Sequence, residues 1–240
     1  MIETSTATLP HVNRFTASHV LFDLDGTLVD SHPGIAWSVA VAMSEVLPEV
    51  AISVPPQLLG PPIREIFRRL LEAEAHYSSS AVLDELEASF RRSYDTEGWR
   101  RSRAYPEVGA TLRHLHWSGL ELFVVTNKPR AATRRILGRL ELLPLFVEVV
   151  SPDSRTPRYE SKAAMIRDLV VRRGLDRAST CYVGDTIDDQ VSAAAAEVSF
   201  IPVSYGYGTP GASSGMSSPL RRLSSLSDLL RFAPPASSSL

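Results

Sequence analysis

The chain has 240 residues, of which 44% are hydrophobic and 22% charged, and its formal net charge is -2. This length suits one α/β domain with an inserted lobe, or two small domains, and is enough to bury a sizeable core. Proteins that bind polymeric nucleic acid usually carry an excess of basic residues, and this chain has no such excess, so we expect no partner of this kind. No apolar run approaches the roughly 20 residues that cross a bilayer, and the start lacks a secretory pattern. We therefore expect a cytoplasmic protein, not bound to a membrane, that exists as a monomer or homodimer.

The first structured segment ends in acidic residues. Residues 1–16 are polar, and their apolar positions show no helical or strand spacing, which predicts a flexible tail. Residues 20–31 then read VLFDLDGTLVDS, an apolar strand that carries Asp23 and Asp25 onto a turn at Gly26. Crowded carboxylates at the edge of a core are costly unless a cation or a reaction employs them. Phosphoryl transfer employs both, because Asp23 can attack phosphorus while Asp25 protonates the leaving oxygen and then activates water. The alternative is a plain strand-to-turn signal.

Residues 33–103 have apolar positions at helical spacing and contain no good strand, which predicts an all-helical insert. The spacing is clearest at Ile35/Val39/Ala42/Val46, Ile63/Ile66/Phe67/Leu70 and Val82/Leu83/Leu86/Phe90. The run GPPIR at residues 60–64 predicts a helix start whose free N–H groups face an anion, with Arg64 touching substrate. The alternative is a rigid loop followed by a solvated arginine.

The next predicted strand, residues 120–126, ends in a hydroxyl, an amide and an ammonium, at Thr126, Asn127 and Lys128. An ordinary strand-turn-helix with Thr126 as the N-cap is an alternative interpretation. Of the 25 basic residues only Lys128 and Lys162 are lysines, and all others are arginine. A compact ammonium differs from a guanidinium where a phosphate is met in a tight space, so the two lysines become candidates for the site. Lys162 opens a predicted helix, where the alternative is a solvated charge.

A later apolar strand, residues 180–184, runs directly into acids at Asp185, Asp188 and Asp189. These acids indicate a metal site, or alternatively a helix N-terminus whose dipole they complement. Toward the C-terminus we predict a loop at residues 209–219, a short strand at 220–223, a helix at 226–230 and a tail at 233–240.

Strands and helices alternate along the chain outside the insert. The predicted strands are 20–23, 120–126, 147–150, 180–184 and 198–202, and the clearest helices are 108–117, 130–140 and 162–173. Such alternation predicts an α/β fold, a Rossmann-like parallel sheet with helices on both faces. Ligands bind beyond the carboxyl ends of such strands, which is where Asp23, Thr126 and Asp185 lie.

Residues 23–31, DLDGTLVDS, resemble the first motif of the haloacid dehalogenase-like hydrolases. In that family the phosphatases and phosphomutases carry an acid at the position of Asp25, and the dehalogenases do not, so the resemblance implies phosphate chemistry. It also implies a core at residues 17–32 and 104–232, and an α-helical cap at 33–103.

The other segments resemble the remaining motifs in order. The resemblance implies that Thr126 and the Asn127 N–H bind phosphate oxygens and that Lys128 contacts substrate or cap. Lys162 would neutralise the nucleophile and the phosphoryl group. Its motif is loose, so Arg155 and Arg158 could compete for this role.

The resemblance further implies Mg2+ held by Asp23, the Asp25 main-chain carbonyl and Asp185. Asp189 would act on the metal directly, through water, or on Lys162. Asp188 stands where relatives often have Asn, which leaves the second acid open between Asp188 and Asp189.

Residues 60–62, 126–129 and 205–208 most resemble the phosphoglycolate phosphatase group. We therefore expect Mg2+-dependent hydrolysis of a small phosphorylated metabolite through an aspartyl-phosphate intermediate. The alternatives are a β-phosphoglucomutase-like phosphomutase and a catalytically silent binding protein on the same fold.

Overall fold

The computed structural model describes residues 17–50, 52–58, 61–76, 79–208 and 222–231. The predicted tails, the predicted loop at 209–219 and Gly60 lie outside these residues.

A five-stranded sheet with the order β5-β4-β1-β6-β7 forms the centre of the molecule, and every neighbouring pair of strands is parallel. Its strands are β1 (His19–Phe22), β4 (Glu121–Val125), β5 (Glu148–Val150), β6 (Thr180–Gly184) and β7 (Ser199–Pro202). All five coincide with the predicted strands apart from shifts at their ends. A separate antiparallel pair joins β2 (Val29–Asp30) to β3 (Arg103–Ala104).

Seven α-helices surround or extend from the sheet in the described part of the chain. They are α1 (His32–Val46), α2 (Ile63–Ala73), α3 (Ser80–Thr96), α4 (Val108–Trp117), α5 (Arg130–Arg139), α6 (Lys162–Arg173) and α7 (Ile187–Ala195). The predicted helices at 108–117, 130–140 and 162–173 are confirmed as α4, α5 and α6. The helix predicted at 226–230 is instead a 3-10 helix, Leu226–Arg231. No helix among the described residues is both long and apolar enough to span a bilayer.

Side chains alternate between the two faces of the sheet, as the geometry of a strand requires. Val20 and Phe22 of β1 enter a hydrophobic cluster that includes residues of α4 and α5. Leu21 enters a second cluster with residues of α6 and α7. Both faces are therefore covered by helices, which explains why the strands are nearly continuously apolar and confirms the predicted α/β class.

Helices α1, α2 and α3 surround a third hydrophobic cluster, to which each contributes a fully buried side chain: Val39, Phe67 and Leu86. The predicted apolar spacing in this segment thus corresponds to one buried interface. The segment begins after β2 and ends at β3, and the pairing of Val29 with Ala104 holds its two ends together.

Parallel strands bring their carboxyl ends to one edge of the sheet. Asp23 follows β1, Thr126 follows β4 and Asp185 follows β6. Since β1 lies between β4 and β6, Asp23 occupies the middle of this edge.

Candidate active site

Asp23 is a buried carboxylate at the end of the central strand, with 5% of its surface exposed. The Lys162 ammonium lies 3.1 Å from its Oδ1. Burial raises the pKa of Asp23 well above its ordinary range, and the neighbouring carboxylates of Asp189, Asp185 and Asp25 add to this, while Lys162 opposes it. A cation beside Asp23, such as the Lys162 ammonium, favours the ionised form of this carboxylate.

Lys162 begins α6 and is buried between two carboxylates, those of Asp23 and Asp189. Burial by itself lowers the pKa of Lys162, but the two carboxylates reverse that effect and the pKa is raised. The competing arginines lie elsewhere: Arg155 stacks over the Tyr159 ring at 4.1 Å, and Arg158 is exposed.

Asp189 is fully buried and both of its oxygens accept hydrogen bonds. Oδ1 accepts from Lys162 and from the Tyr182 hydroxyl at 3.3 Å. Oδ2 accepts from the main-chain N–H of Asp185 and from the N–H and hydroxyl of Thr186. Thr186 and Asp189 form a capping box at the start of α7. The acids at 185–189 therefore do lie at a helix N-terminus, which was the alternative to a metal site.

Asp188, by contrast, is exposed, and its Oδ2 lies 3.4 Å from the Asn127 amide nitrogen. Of the two acids, only Asp189 reaches Asp185 and Lys162 in the described structure.

Asp185 is fully buried and its Oδ2 accepts two main-chain hydrogen bonds, from Tyr207 at 2.8 Å and Gly208 at 2.9 Å. The Thr27 hydroxyl lies 3.4 Å from the other oxygen. Burial raises the pKa of Asp185 to about 6, although the two N–H groups lower it. Glycine is required beside it, because a Cβ on Gly26 would lie 2.3 Å from Asp185 Oδ2, and Gly26 has a φ of +87°.

Three of these acids form an oxygen-rich cluster. Asp23, Asp185 and Asp189 each offer one carboxylate oxygen, and these atoms lie within 4.8 Å of one another. A buried set of oxygen donors fits a hard divalent cation such as Mg2+ and suits softer metals less well. Because Asp189 already accepts several hydrogen bonds, Asp23 and Asp185 have the more available oxygens.

Asp25 pairs with the second lysine. Lys128 Nζ lies 3.0 Å and 3.2 Å from the two Asp25 carboxylate oxygens, and 4.9 Å from the centre of the Tyr94 ring in α3. Burial tends to lower the pKa of Lys128, but Asp25 and Tyr94 raise it overall. The contact with Tyr94 agrees with the predicted contact of Lys128 with the cap segment, whereas the contact with Asp25 was not predicted.

Thr126 is buried directly after β4, and its hydroxyl accepts a hydrogen bond from the Lys128 N–H at 3.3 Å. The alternative that Thr126 is the N-cap of the following helix is wrong, because α5 begins at Arg130 after Pro129. Asp153 accepts the Arg130 N–H at 2.9 Å, so the start of α5 already has one anionic partner. Asn127 is exposed beside Thr126.

Arg64 lies in the first turn of α2, where the GPPIR run predicted a helix start. Its guanidinium contacts Asp84 at 2.5 Å and the Ser80 hydroxyl at 3.0 Å, both on α3. These partners join two helices of the insert. A contact of Arg64 with substrate stays a prediction.

Several residues of the site were missed from the sequence. The spacing of Thr186 and Asp189 is a capping-box signal that could have indicated the orientation of Asp189. The alternating glycines of residues 205–208 signal close backbone approach and could have placed this loop at the site. No sequence signal marks Tyr94 as the neighbour of Lys128.

Fold and site together define an α/β protein with a buried carboxylate-lysine cluster at the carboxyl ends of its strands. The profile of the haloacid dehalogenase-like hydrolases matches residues 20–203, and the chain belongs to that family. Similar proteins include a phosphoglycolate phosphatase of Cereibacter sphaeroides, 32% identical over 189 residues that cover 78% of this chain and 85% of that one. Another, from Aliivibrio fischeri, is 30% identical over 192 residues, covering 78% and 84%.

A crystal structure described as a predicted phosphoglycolate phosphatase from Haemophilus somnus 129PT has the same fold. Its TM-score is 0.79 at 24% identity, and the match covers 91% of this chain and 99% of that one. Within its family this chain is a phosphatase.

Proposed function

We propose that the protein hydrolyses a small phosphate monoester through an aspartyl-phosphate intermediate on Asp23. The observation that carries this proposal is the placement of Asp23, buried between Lys162 and Asp185 with Asp25 two residues further along the chain. The names of the relatives at about 30% identity support phosphoglycolate as the first candidate substrate.

The proposed reaction has two steps. An Asp23 oxygen attacks phosphorus, the ester P–O bond breaks, and Asp25 gives its proton to the leaving oxygen. Asp25 then takes a proton from water as that water attacks phosphorus, the bond to Asp23 breaks, and inorganic phosphate leaves. Lys162, Thr126 and the Asn127 N–H would hold the phosphoryl oxygens throughout.

We propose Mg2+ as the cofactor, held by Asp23, the main-chain carbonyl of Asp25 and Asp185. When bound, it supplies positive charge beside the nucleophile and the phosphoryl group. Asp189 then acts mainly on Lys162, because its oxygens already accept hydrogen bonds from Lys162, Tyr182 and Thr186.

We further propose that α1, α2 and α3 form a cap, residues 33–103, over a core formed by residues 17–32 and 104–232. A cap excludes water while the intermediate forms and contacts the part of the substrate that differs among phosphate esters. The paired β2 and β3 at its base are the natural position for a hinge. The expected substrates are small cytoplasmic metabolites.

The direct test is phosphate release from a panel of small esters with Mg2+ or with chelator. Wild type should require Mg2+ and should prefer a compact acidic ester such as phosphoglycolate. Asp23→Asn should lower the rate by at least about 1000-fold, because it removes the nucleophile. The matched control is Asp188→Asn, which changes an exposed acid of the last motif and should retain most of the rate.

Two results would contradict the proposal. One is release that continues unchanged in Asp23→Asn or in chelator. The other is conversion of a sugar phosphate to its isomer without net phosphate release, which would indicate a phosphomutase.

A further inference from the structure

The two lysines of this chain are each paired with a different aspartate of the first motif. Of 25 basic residues only Lys128 and Lys162 are lysines. Lys162 contacts Asp23 and Lys128 contacts Asp25, each at 3.0 to 3.1 Å. Asp25 acts as acid and base in the proposed reaction, but its contact with Lys128 has no role in the reaction as described above.

The Lys128–Asp25 pair is asymmetric in its exposure to solvent. The Lys128 side chain is 6% exposed and that of Asp25 is 25% exposed. Both Asp25 oxygens lie within hydrogen-bond distance of the one ammonium. When Asp25 carries the proton that it gives to the leaving oxygen, one of its oxygens bears that proton and the other still accepts from the buried ammonium, which fixes the direction of the O–H.

The ammonium itself is held from the insert. Tyr94 lies in α3, is 6% exposed, and presents its ring 4.9 Å from Lys128 Nζ. A cation near the face of an aromatic ring is attracted by the ring quadrupole. Tyr94 in turn stacks on Phe90 at 5.3 Å, which restricts the position of the ring.

We propose that Lys128 is a positioning residue that orients the Asp25 carboxyl toward the leaving oxygen, and that Tyr94 holds Lys128 in place. This inference rests on the proposed function, in which the Asp25 proton passes to the leaving oxygen as the P–O bond breaks. Lys128 touches neither phosphorus nor the leaving group in this role. It acts on the first step through Asp25 alone.

The inference predicts a dependence on the leaving group, because only a poor leaving group needs a proton as it departs. Benzyl phosphate and 4-nitrophenyl phosphate are similar in size, but the benzyl alkoxide needs that proton and 4-nitrophenolate does not. Lys128→Met should therefore lower kcat/KM for benzyl phosphate about tenfold or more beyond its effect on 4-nitrophenyl phosphate, since general acids contribute large factors. Retained hydrolysis of the nitrophenyl ester shows that the fold and the nucleophile are intact.

Two further variants calibrate the result. Asp25→Asn, which removes the acid itself, should show the same selectivity against the benzyl ester. Lys128→Arg keeps a cation and should recover part of the benzyl phosphate activity that Lys128→Met loses.

Two variants of Tyr94 in α3 test the inference if Lys128→Met does not fold. Tyr94→Leu removes the ring and should discriminate against the benzyl ester more than Tyr94→Phe, which keeps the ring. Equal losses on both esters, in Lys128→Met or in the Tyr94 pair, would overturn the positioning role. Wild type that releases phosphate from no small ester with Mg2+, phosphoglycolate included, would overturn the proposed function itself.

Discussion

At the scale of single residues, Asp185 shows how the site holds a buried charge. Its carboxylate is fully buried, and the N–H groups of Tyr207 and Gly208 compensate only part of the desolvation, so the pKa stays raised at about 6. Such a group favours a bound cation, because a cation stabilises the ionised form that burial disfavours. The same property makes the stability of the metal-free protein depend on pH.

We predict that metal-free Asp185→Asn is more stable than wild type at pH 7 and nearly equal to it at pH 4. The ordinary carboxyl pKa of 3.8 is raised to about 6 in the folded protein, so between these values the folded state binds the proton more tightly than the unfolded state. The stability that Asp185 contributes is therefore present below pH 3.8 and lost as pH rises through about 6. The loss approaches about 3 kcal/mol. An asparagine oxygen can still accept from Tyr207 and Gly208.

Urea unfolding at the two pH values, in chelator, measures this difference. Saturating Mg2+ should then stabilise wild type more than the variant and narrow the gap at pH 7. A gap of equal size at both pH values would show that Asp185 does not carry the burial cost inferred from its surroundings.

At the scale of elements, the loop after β7 completes the site by close backbone approach. Gly206 lies against the first-motif turn, and a Cβ there would be 2.2 Å from the Gly26 carbonyl oxygen and 2.5 Å from Asp185 Oδ2. The loop also reaches the insert junction, since the Tyr207 hydroxyl donates to Asp30 Oδ1 at 2.6 Å and accepts from the His32 N–H at 2.9 Å. Residues 206–208 thus contact both Asp185, which follows β6, and the start of the insert.

We predict that Gly206→Ala lowers both stability and Mg2+-dependent activity. The added methyl must displace backbone or Asp185, at a cost of about 1 to 3 kcal/mol for an overpacked position. The shift also disturbs the N–H donors of Tyr207 and Gly208. Thermal unfolding and phosphate release measure the two effects.

The matched control is Gly138→Ala in α5, where the new Cβ would meet no atom within 4 Å. It should raise stability by up to about 1 kcal/mol, because alanine is a better helix former than glycine, and should leave turnover unchanged. Equal behaviour of the two variants would argue against close packing at Gly206.

At the scale of the whole molecule, the sheet, its flanking helices and the helical insert were predictable because each depends on local periodicity. Apolar runs of strand length alternate with amphipathic segments, and buried side chains such as Val20, Phe67 and Ile136 follow those periods. The meeting of the acids that follow the strands was predictable as well, because parallel strands bring their carboxyl ends to one edge of the sheet.

Local periodicity does not predict the pairing of charges within the site: the contact of Lys162 with Asp23 was expected only from the family resemblance, and the contact of Lys128 with Asp25 was not expected. Lys128 and Asp25 are 103 residues apart and Lys162 and Asp23 are 139 apart, so their contact depends on how helices and turns approach in three dimensions. The alternative interpretation of Thr126 as an N-cap is wrong for a local reason, because α5 begins at Arg130 after Pro129. The contact of Arg64 with Asp84 on the neighbouring helix had no signal in the sequence, and its contact with substrate stays a prediction.

The most direct test of the covalent mechanism is to trap the phosphoryl group on the protein. Wild type mixed with substrate and Mg2+ is quenched in acid, reduced with borohydride and digested for peptide mass spectrometry. Reduction converts a phosphorylated aspartate to homoserine, and we predict this conversion at Asp23 only, dependent on substrate and abolished by chelator. Conversion at another aspartate, or none during active turnover, would contradict the assignment of Asp23 as the nucleophile.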